Sequence, residues 1–237
     1  MRFYKRLPAF DVLSFDLDDT LYDNMPVILK AEQAQMEMLK SEVSASVAHD
    51  IRWWRDVKQQ VIQQKPELMQ DMTKLRFAVL QQGLLQAGVP ELEAAQLAQR
   101  VFDEFYHWRN QVSVEQDIHQ LMSELAAAYP LVAVTNGNVD LDKIGLASYF
   151  SHRVSPVLNQ HRMKPHVDMF QHIASKAEVS MPQLLHIGDS LTSDVKGARN
   201  AGCGAIWLNQ SKAVASAPDI LPHIEIHDIR QLADLLL

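Results

Sequence analysis

Four short apolar runs divide this chain into segments with helical periodicity. The runs occupy Val12–Phe15, Leu131–Val134, 184–187 and 205–208. Bulky runs of this length that end abruptly are typical of strands buried on both faces of a parallel sheet. Helical periodicity precedes or follows the later runs, at 114–129, 165–178 and 191–201. The alternation of strand and helix predicts an α/β fold with a Rossmann-like, doubly wound parallel sheet.

A long segment between the first two runs, residues 24–111, has helical periodicity and no strand pattern. Pro26 suits the first turn of a helix, while Pro66 and the pair Gly88 and Pro90 predict breaks, which gives about four helices. The segment is too long for a simple crossover between strands. We therefore expect a helical cap domain at 24–111, inserted over the carboxyl edge of the sheet, and an α/β core built from 1–23 and 112–237.

Composition and charge indicate which kinds of partner are disfavoured. The chain has 47% hydrophobic and 22% charged residues, as a folded globular protein has, and 22 basic against 29 acidic residues give a net charge of -7. This balance disfavours general binding of nucleic acid. The N-terminus lacks the apolar run of a signal peptide, and no stretch has the roughly 18 apolar residues of a membrane span. We expect a cytoplasmic monomer or homodimer without membrane or nucleic-acid partners, and a surface loop at the alanine-rich segment 213–217.

Two carboxylates follow the first apolar run, in the sequence Asp16-Leu17-Asp18. Alternation along an extended chain turns both side chains to one side. In a shared site one carboxylate can attack as an ionised nucleophile, and the other can carry a proton for a leaving group, because like charges separate their pKa values. The pair predicts acid/base and nucleophilic chemistry.

Two more carboxylates, Asp189 and Asp194, follow the run at 184–187 in the sequence GDSLTSD. Oxygen ligands from Asp16 and Asp189 suit a hard divalent cation, and Mg²⁺ fits best because the chain has no cysteine and histidine spacing for zinc. A phosphate dianion near four carboxylates needs compensating positive charge and donors. Lys164 supplies a cation, and Thr135 with Asn136 at the end of another run supplies a hydroxyl and backbone donors.

These segments, DLDDT, VAVTN, KP and GDSLTSD, closely resemble the four motifs of the haloacid dehalogenase superfamily, across essentially the whole core. The resemblance implies that Asp16 is an aspartyl-phosphate nucleophile and that Asp18 is the acid/base and a backbone-carbonyl metal ligand. Thr135 and Asn136 would bind phosphate, and Lys164 would steady the nucleophile and the phosphoryl group. Two further aspartates complete the implied site: Asp189 as a Mg²⁺ ligand, and Asp194 as support for the metal shell or the lysine.

The dehalogenases of this superfamily lack an aspartate two residues after the nucleophile, so Asp18 favours hydrolysis of phosphate esters on small metabolites. Residues 1–24, 71–88 and 107–114 are also similar to a bacterial branch of phosphatases that acts on flavin mononucleotide and on 5-amino-6-(5-phosphoribitylamino)uracil phosphate in riboflavin metabolism. Two alternatives stay open: a phosphomutase of the same superfamily, and a non-catalytic module that binds phosphate for regulation.

Aromatic and basic residues of the expected cap allow two interpretations. Trp53, Trp54, Trp108, Arg76 and Arg109 have the chemistry to stack on a substrate ring or to pair with its charges. Core packing or a position on a helix surface is the favoured interpretation for most of them.

Overall fold

The chain divides into two compact units. A computed structural model describes residues 1–211 and 221–237, so the expected loop at 213–217 lies outside the described residues. One unit, the sheet unit, comprises Met1–Asp23 and Ser113–Leu237, and the other, the helical unit, comprises Asn24–Val112. The second boundary expected from the sequence lay one residue earlier, after residue 111.

The helical unit is built from four helices. They are α1 (Met25–Glu42), α2 (Ile51–Gln64), α3 (Met72–Gln86) and α4 (Glu91–Arg109). Single 3-10 turns at Ser46–His49 and Pro66–Gln70 separate the first three helices. Asp50 and Asp71 cap α2 and α3 because their carboxylates accept hydrogen bonds from the first-turn backbone N–H groups of Arg52 and Lys74.

Trp54 lies in the core of the helical unit rather than on its surface. Its exposed fraction is 7%, and its Nε1 donates a hydrogen bond to the carbonyl oxygen of Ala48 at 2.9 Å. The ring lies directly against the backbone of α3, where a Cβ added to Gly83 would come within 2.2 Å of it. Core packing is therefore the role of Trp54, one of the two roles favoured from the sequence. Trp108, by contrast, donates its Nε1 to Glu104 one turn earlier on α4.

The part of the sheet unit that the structure describes contains a seven-stranded sheet. Its strands are β1 (Arg2–Phe3), β2 (Val12–Phe15), β3 (Leu131–Val134), β4 (His152–Val154), β5 (Leu184–Gly188), β6 (Gly204–Leu208) and β7 (Ile224–Ile226). The spatial order is β1-β7-β6-β5-β2-β3-β4, and every pair is parallel except β1 with β7. The predicted doubly wound parallel sheet is confirmed. Three short strands, β1, β4 and β7, were missed because two or three residues are too few to show a pattern.

Helices of the sheet unit differ from the sequence prediction mainly at their ends. They are α5 (Gln116–Ala128), α6 (Asp168–Lys176), α7 (Gly197–Asn200) and α8 (Gln231–Leu236), with a π-helical turn at Leu191–Lys196. The prediction began α6 at residue 165. The helix begins at Asp168 because the preceding turn is closed by Arg162, whose backbone N–H and guanidinium both bind the Asp168 carboxylate.

A mostly apolar core supports the sheet. All residues of β2, β3, β5, β6 and β7 are buried, and α5 covers the sheet with an apolar stripe at i, i+3, i+4 and i+7, formed by Ile118, Leu121, Met122 and Leu125. Within the described residues, no helix combines the length and apolar character needed to cross a bilayer.

Candidate active site

The site residues predicted from the sequence lie at or near the carboxyl ends of the three central strands β5, β2 and β3. Strand β2 lies between β5 and β3, and Phe15 pairs in register with Ile187 on one side and Ala133 on the other. Asp16 continues this pairing, since its backbone N–H donates to the carbonyl oxygen of Ile187 at 2.9 Å. Parallel strands in register place the residues that follow them at one edge, where α/β proteins bind ligands.

Lys164 connects the carboxylates of this edge. Its side chain is 1% exposed, and its Nζ donates to Asp16 Oδ1 at 2.8 Å, to Asp194 Oδ1 at 2.6 Å and to the carbonyl oxygen of Val134 at 2.6 Å. These three acceptors match the three N–H groups of an ammonium. Burial lowers the pKa of Lys164, but Asp16 and Asp194 outweigh burial and hold the pKa above its usual value. The two carboxylates therefore favour the charged form of this buried lysine.

Asn136 holds the backbone that carries this lysine. Its Nδ2 donates to the carbonyl oxygen of Lys164 at 3.0 Å, and its Oδ1 accepts from the backbone N–H of Lys164 at 2.8 Å. The neighbouring Thr135 hydroxyl oxygen accepts from the N–H of Gly137 at 2.9 Å. The side chain of Asn136 thus clamps the lysine loop, and the contacts of Thr135 and Asn136 with phosphate stay a prediction.

Asp194 reaches the lysine through an unusual local geometry. The backbone N–H groups of Asp194 and Val195 both donate to the carbonyl oxygen of Ser190, which widens the turn at Leu191–Lys196 into a π-helical one. The Asp194 carboxylate turns back to accept from the N–H of Ser190 at 2.8 Å and packs against Gly188. A Cβ at Gly188 would lie 2.3 Å from Asp194 Cγ, so only glycine leaves room for this carboxylate.

Three carboxylates crowd this edge of the sheet. One oxygen each from Asp16, Asp189 and Asp194 lie within 4.8 Å of one another. Asp189 also accepts from the Thr20 hydroxyl at 3.4 Å, and its carbonyl oxygen accepts from Trp207 Nε1 at 2.7 Å. These contacts hold the loop after β5 beside β2.

The electrostatics of the three carboxylates differ. Burial raises the pKa of Asp16 to about 7, with Lys164 opposing and Asp194 reinforcing the shift. Burial also raises the pKa of Asp189 to about 6. For Asp194, Lys164 and His186 outweigh burial and hold its pKa well below the usual range. Burial and the nearby Asp194 charge disfavour the ionised forms of both Asp16 and Asp189. A divalent cation would offset both effects, so the oxygen donor set fits Mg²⁺.

Asp18 lies beyond the end of β2 in a tight turn. The backbone of Asp18 pairs with that of Tyr22, and the intervening Asp19 has a positive φ of 58°. The Tyr22 hydroxyl donates to Asp18 Oδ1 at 2.6 Å. Sequence reasoning did not assign a role to Tyr22, although its position four residues after Asp18 in a turn is a recognisable signal.

Ser14 and His186 were also missed. They face each other in register on β2 and β5, and each is the polar residue of an otherwise apolar strand. Ser14 Oγ lies 2.8 Å from His186 Nδ1, and His186 Nε2 lies 3.1 Å from Asp194 Oδ1. Burial lowers the pKa of His186, so the ring is neutral. The signal that would have found this pair is the single polar residue in each apolar run.

The site thus combines a doubly wound α/β sheet with a buried lysine and with aspartates at the carboxyl ends of the central strands. The sequence profile of the haloacid dehalogenase-like hydrolases matches residues 10–202. This chain belongs to that family.

Relatives of known description and a solved structure align with this chain over nearly its full length. The chain is 36% identical to the 5-amino-6-(5-phospho-D-ribitylamino)uracil phosphatase YigB of Escherichia coli (strain K12), with 100% of both chains covered. A pyrimidine 5'-nucleotidase of Streptococcus pneumoniae is 28% identical, covering 96% of this chain and 95% of its own. A structure described as a 2-haloacid dehalogenase from Pseudomonas syringae superposes with a TM-score of 0.90 at 32% identity, covering 96% of this chain and 98% of that one.

Proposed function

We propose that this protein hydrolyses phosphate monoesters of small metabolites through an aspartyl-phosphate on Asp16. The observation that carries the proposal is the position of Asp16, which is hydrogen-bonded to the buried Lys164 at a strand end that also holds Asp189 and Asp194. A carboxylate oriented by a fixed cation is prepared both to attack phosphorus and to bear the charge of the transferring group. The similarity to a phosphatase over the full chain supports the same reaction class.

In the first step a carboxylate oxygen of Asp16 attacks phosphorus and the ester P–O bond breaks. Asp18 donates its proton to the leaving alkoxide, which departs as an alcohol. In the second step Asp18 accepts a proton from water, the water oxygen bonds to phosphorus, and the bond between phosphorus and Asp16 breaks. Inorganic phosphate leaves, and both aspartates return to their starting states. The hydrogen bond from Tyr22 would hold Asp18 in place for both transfers.

The carboxylates of Asp16 and Asp189, with the backbone carbonyl of Asp18, would hold Mg²⁺. Bound Mg²⁺ supplies positive charge that offsets the repulsion between an anionic nucleophile and an anionic phosphate. The Thr135 hydroxyl, backbone N–H groups at Asn136 and the Lys164 ammonium would hold the phosphoryl oxygens.

The proposed substrate follows from the relative in Escherichia coli, whose name specifies 5-amino-6-(5-phospho-D-ribitylamino)uracil. We assign this compound or flavin mononucleotide as the substrate. The helical unit, inserted between β2 and β3, is proposed to act as the cap that selects the leaving group, because the carboxylates and the lysine of the sheet unit address only the phosphate.

Dehalogenation is a second candidate, because the structure that superposes with a TM-score of 0.90 is described as a 2-haloacid dehalogenase. Asp18 argues against it, because a halide leaves without a proton whereas an alkoxide requires one. Incubation with 2-chloropropionate and with para-nitrophenyl phosphate decides the matter. Phosphate release without halide release supports the proposal, and the reverse result overturns it.

Replacing the nucleophile tests the mechanism. Asp16→Asn keeps the shape of the side chain but removes the attacking anion, so kcat for para-nitrophenyl phosphate should fall about 1,000-fold or more. Asp56→Asn, an equivalent change at an exposed position on α2, is the matched control and should leave kcat unchanged. Near-normal turnover by Asp16→Asn in the presence of Mg²⁺ would rule out an aspartyl-phosphate on Asp16.

Substrate selection is tested separately, by ranking kcat/KM over a panel of phosphorylated metabolites that includes flavin mononucleotide and the ribitylaminouracil phosphate. A clear preference for these two supports the assignment, and a flat profile removes it without affecting the reaction class. Recovery of an isomeric sugar phosphate in place of inorganic phosphate would identify a phosphomutase. Absence of turnover on every ester would identify a binding module.

A further inference from the structure

A chain of buried polar side chains runs through the middle of the sheet to the lysine. Ser14 is 0% exposed, and His186 and Asp194 are each 1% exposed. Ser14 contacts His186, His186 contacts Asp194, and Asp194 contacts Lys164. The proposed hydrolysis uses neither Ser14 nor His186, although both lie among apolar strand residues.

In this series of side chains, Asp194 accepts each of its hydrogen bonds. An ionised carboxylate can only accept, so His186 Nε2 must carry the hydrogen that lies between it and Asp194 Oδ1. The same Oδ1 atom accepts from Lys164 Nζ at 2.6 Å, and Oδ2 accepts from the backbone N–H of Ser190 at 2.8 Å. Asp194 is therefore held by three donors, of which His186 is the one contributed by the neighbouring strand.

The imidazole ring is itself fixed from two sides. Ser14 Oγ meets Nδ1 at 2.8 Å, and the ring of Phe170 meets the imidazole edge-on, with centroids 5.0 Å apart. Buried polar groups cost free energy unless they are hydrogen-bonded, and an apolar pair at Ser14 and His186 would avoid that cost. The pair consequently has a purpose beyond packing, and the group it contacts is Asp194.

We propose that His186, oriented by Ser14, is a positioning residue that fixes Asp194 and thereby holds the Lys164 ammonium on Asp16. The expected effect of His186 on turnover rests on the proposed phosphatase function. Without the Nε2 donor, Asp194 Oδ1 is free to move around Lys164 Nζ, and the ammonium loses one of the constraints that aim it at Asp16.

Substitutions at His186 that keep or remove the donor test this assignment. His186→Leu removes the donor, and kcat for para-nitrophenyl phosphate should fall about 10- to 100-fold with little change in KM, as for other residues that orient a site residue. His186→Gln keeps an amide N–H at the end of a planar side chain and should restore most of kcat. Ser14→Ala removes only the partner of Nδ1 and should lower kcat about fivefold, the effect of one ordinary hydrogen bond.

His223 provides the matched control. It is also a buried histidine, 5% exposed, but its hydrogen-bond partners are Arg199 and the backbone N–H of Ala205. His223→Leu should lower thermal stability but leave kcat per folded molecule unchanged. Equal loss of kcat in His186→Leu and His186→Gln, or loss in His223→Leu matching that in His186→Leu, would show a general effect of packing and overturn the proposal.

A measurement without turnover separates this inference from the proposed function. In protein with isotopically labelled lysine, the Lys164 ammonium should give an NMR signal protected from exchange with water. That signal should persist in His186→Gln and His223→Leu and disappear in His186→Leu. If it persists in His186→Leu, the positioning role is wrong. If wild-type protein releases no phosphate yet the signal depends on His186, the positioning role stands and the phosphatase proposal fails.

Discussion

Lys164 is the residue on which the charge balance of the site depends. Its ammonium is the common donor to two buried carboxylates, Asp16 and Asp194, which would otherwise face each other with no opposite charge between them. Removing one member of a buried ionic cluster costs more than the cluster contributes, because the remaining charges lose their partner. Lys164 therefore stabilises the fold and also holds a position from which it would act in the proposed hydrolysis.

Lys164→Met should therefore lower stability and activity together. We expect the free energy of unfolding to fall by about 3 kcal/mol and phosphatase turnover to be lost, because two buried carboxylates remain unpaired. Urea unfolding and a phosphate-release assay measure the two effects. Lys176→Met, at an exposed position on α6, should change stability by less than about 0.5 kcal/mol. If Lys164→Met were as stable as Lys176→Met, the buried ionic cluster would not be the cause.

At the scale of elements, close packing outweighs helix propensity in α3. Alanine has a higher helix propensity than glycine by about 1 kcal/mol, so propensity alone favours Gly83→Ala. A Cβ at this position would lie 2.2 Å from the ring of Trp54 on α2. That ring is held in place because its Nε1 donates a hydrogen bond to the carbonyl oxygen of Ala48. Overpacking of this kind costs about 1 to 3 kcal/mol, which exceeds the gain.

We expect Gly83→Ala to destabilise the protein in urea unfolding, and Gln82→Ala on the same helix to have almost no effect. In a Trp54→Leu background the penalty for Gly83→Ala should shrink, because the ring that it meets has gone. An equal penalty in both backgrounds would contradict the packing argument.

At the scale of the whole molecule, the site's negative charge links metal binding to stability. Without a cation, partial burial and the charges of Asp194 and Asp19 raise the pKa of Asp189 to about 6, so its ionised form destabilises the fold at neutral pH. A cation that binds only the folded state adds stability as its concentration rises.

Mg²⁺ should therefore raise the Tm of the wild-type protein in a concentration-dependent way. Asp189→Asn should raise the Tm of metal-free protein, since it removes a partly buried charge that lies near Asp194, and should abolish the response to Mg²⁺. Differential scanning fluorimetry with EDTA and with increasing Mg²⁺ provides the measurement. A metal response in Asp189→Asn equal to that of wild type would remove Asp189 from the proposed ligands.

The sequence alone determined the central strands and the residues that end them. Bulky apolar runs predicted β2, β3, β5 and β6, because a strand buried on both faces leaves a continuous apolar pattern. Asp16, Thr135 and Asp189 follow those runs directly, so parallel pairing was enough to place them at one edge. The four helices of the helical unit were also predicted from their periodicity and breaks.

Only the tertiary structure decided how those residues contact one another. The turn of Asp194 back to Lys164, the clamp of Asn136 on the lysine backbone and the chain through Ser14 and His186 join residues from separate strands and loops. A linear pattern reports which residues are apolar over a few positions. It does not report the order of the strands in the sheet. That order decides which polar side chains lie close enough to form hydrogen bonds. The family resemblance had implied that Lys164 acts beside Asp16 and Asp194, but the bonded atoms and the contact with the Val134 carbonyl could be read only from the fold.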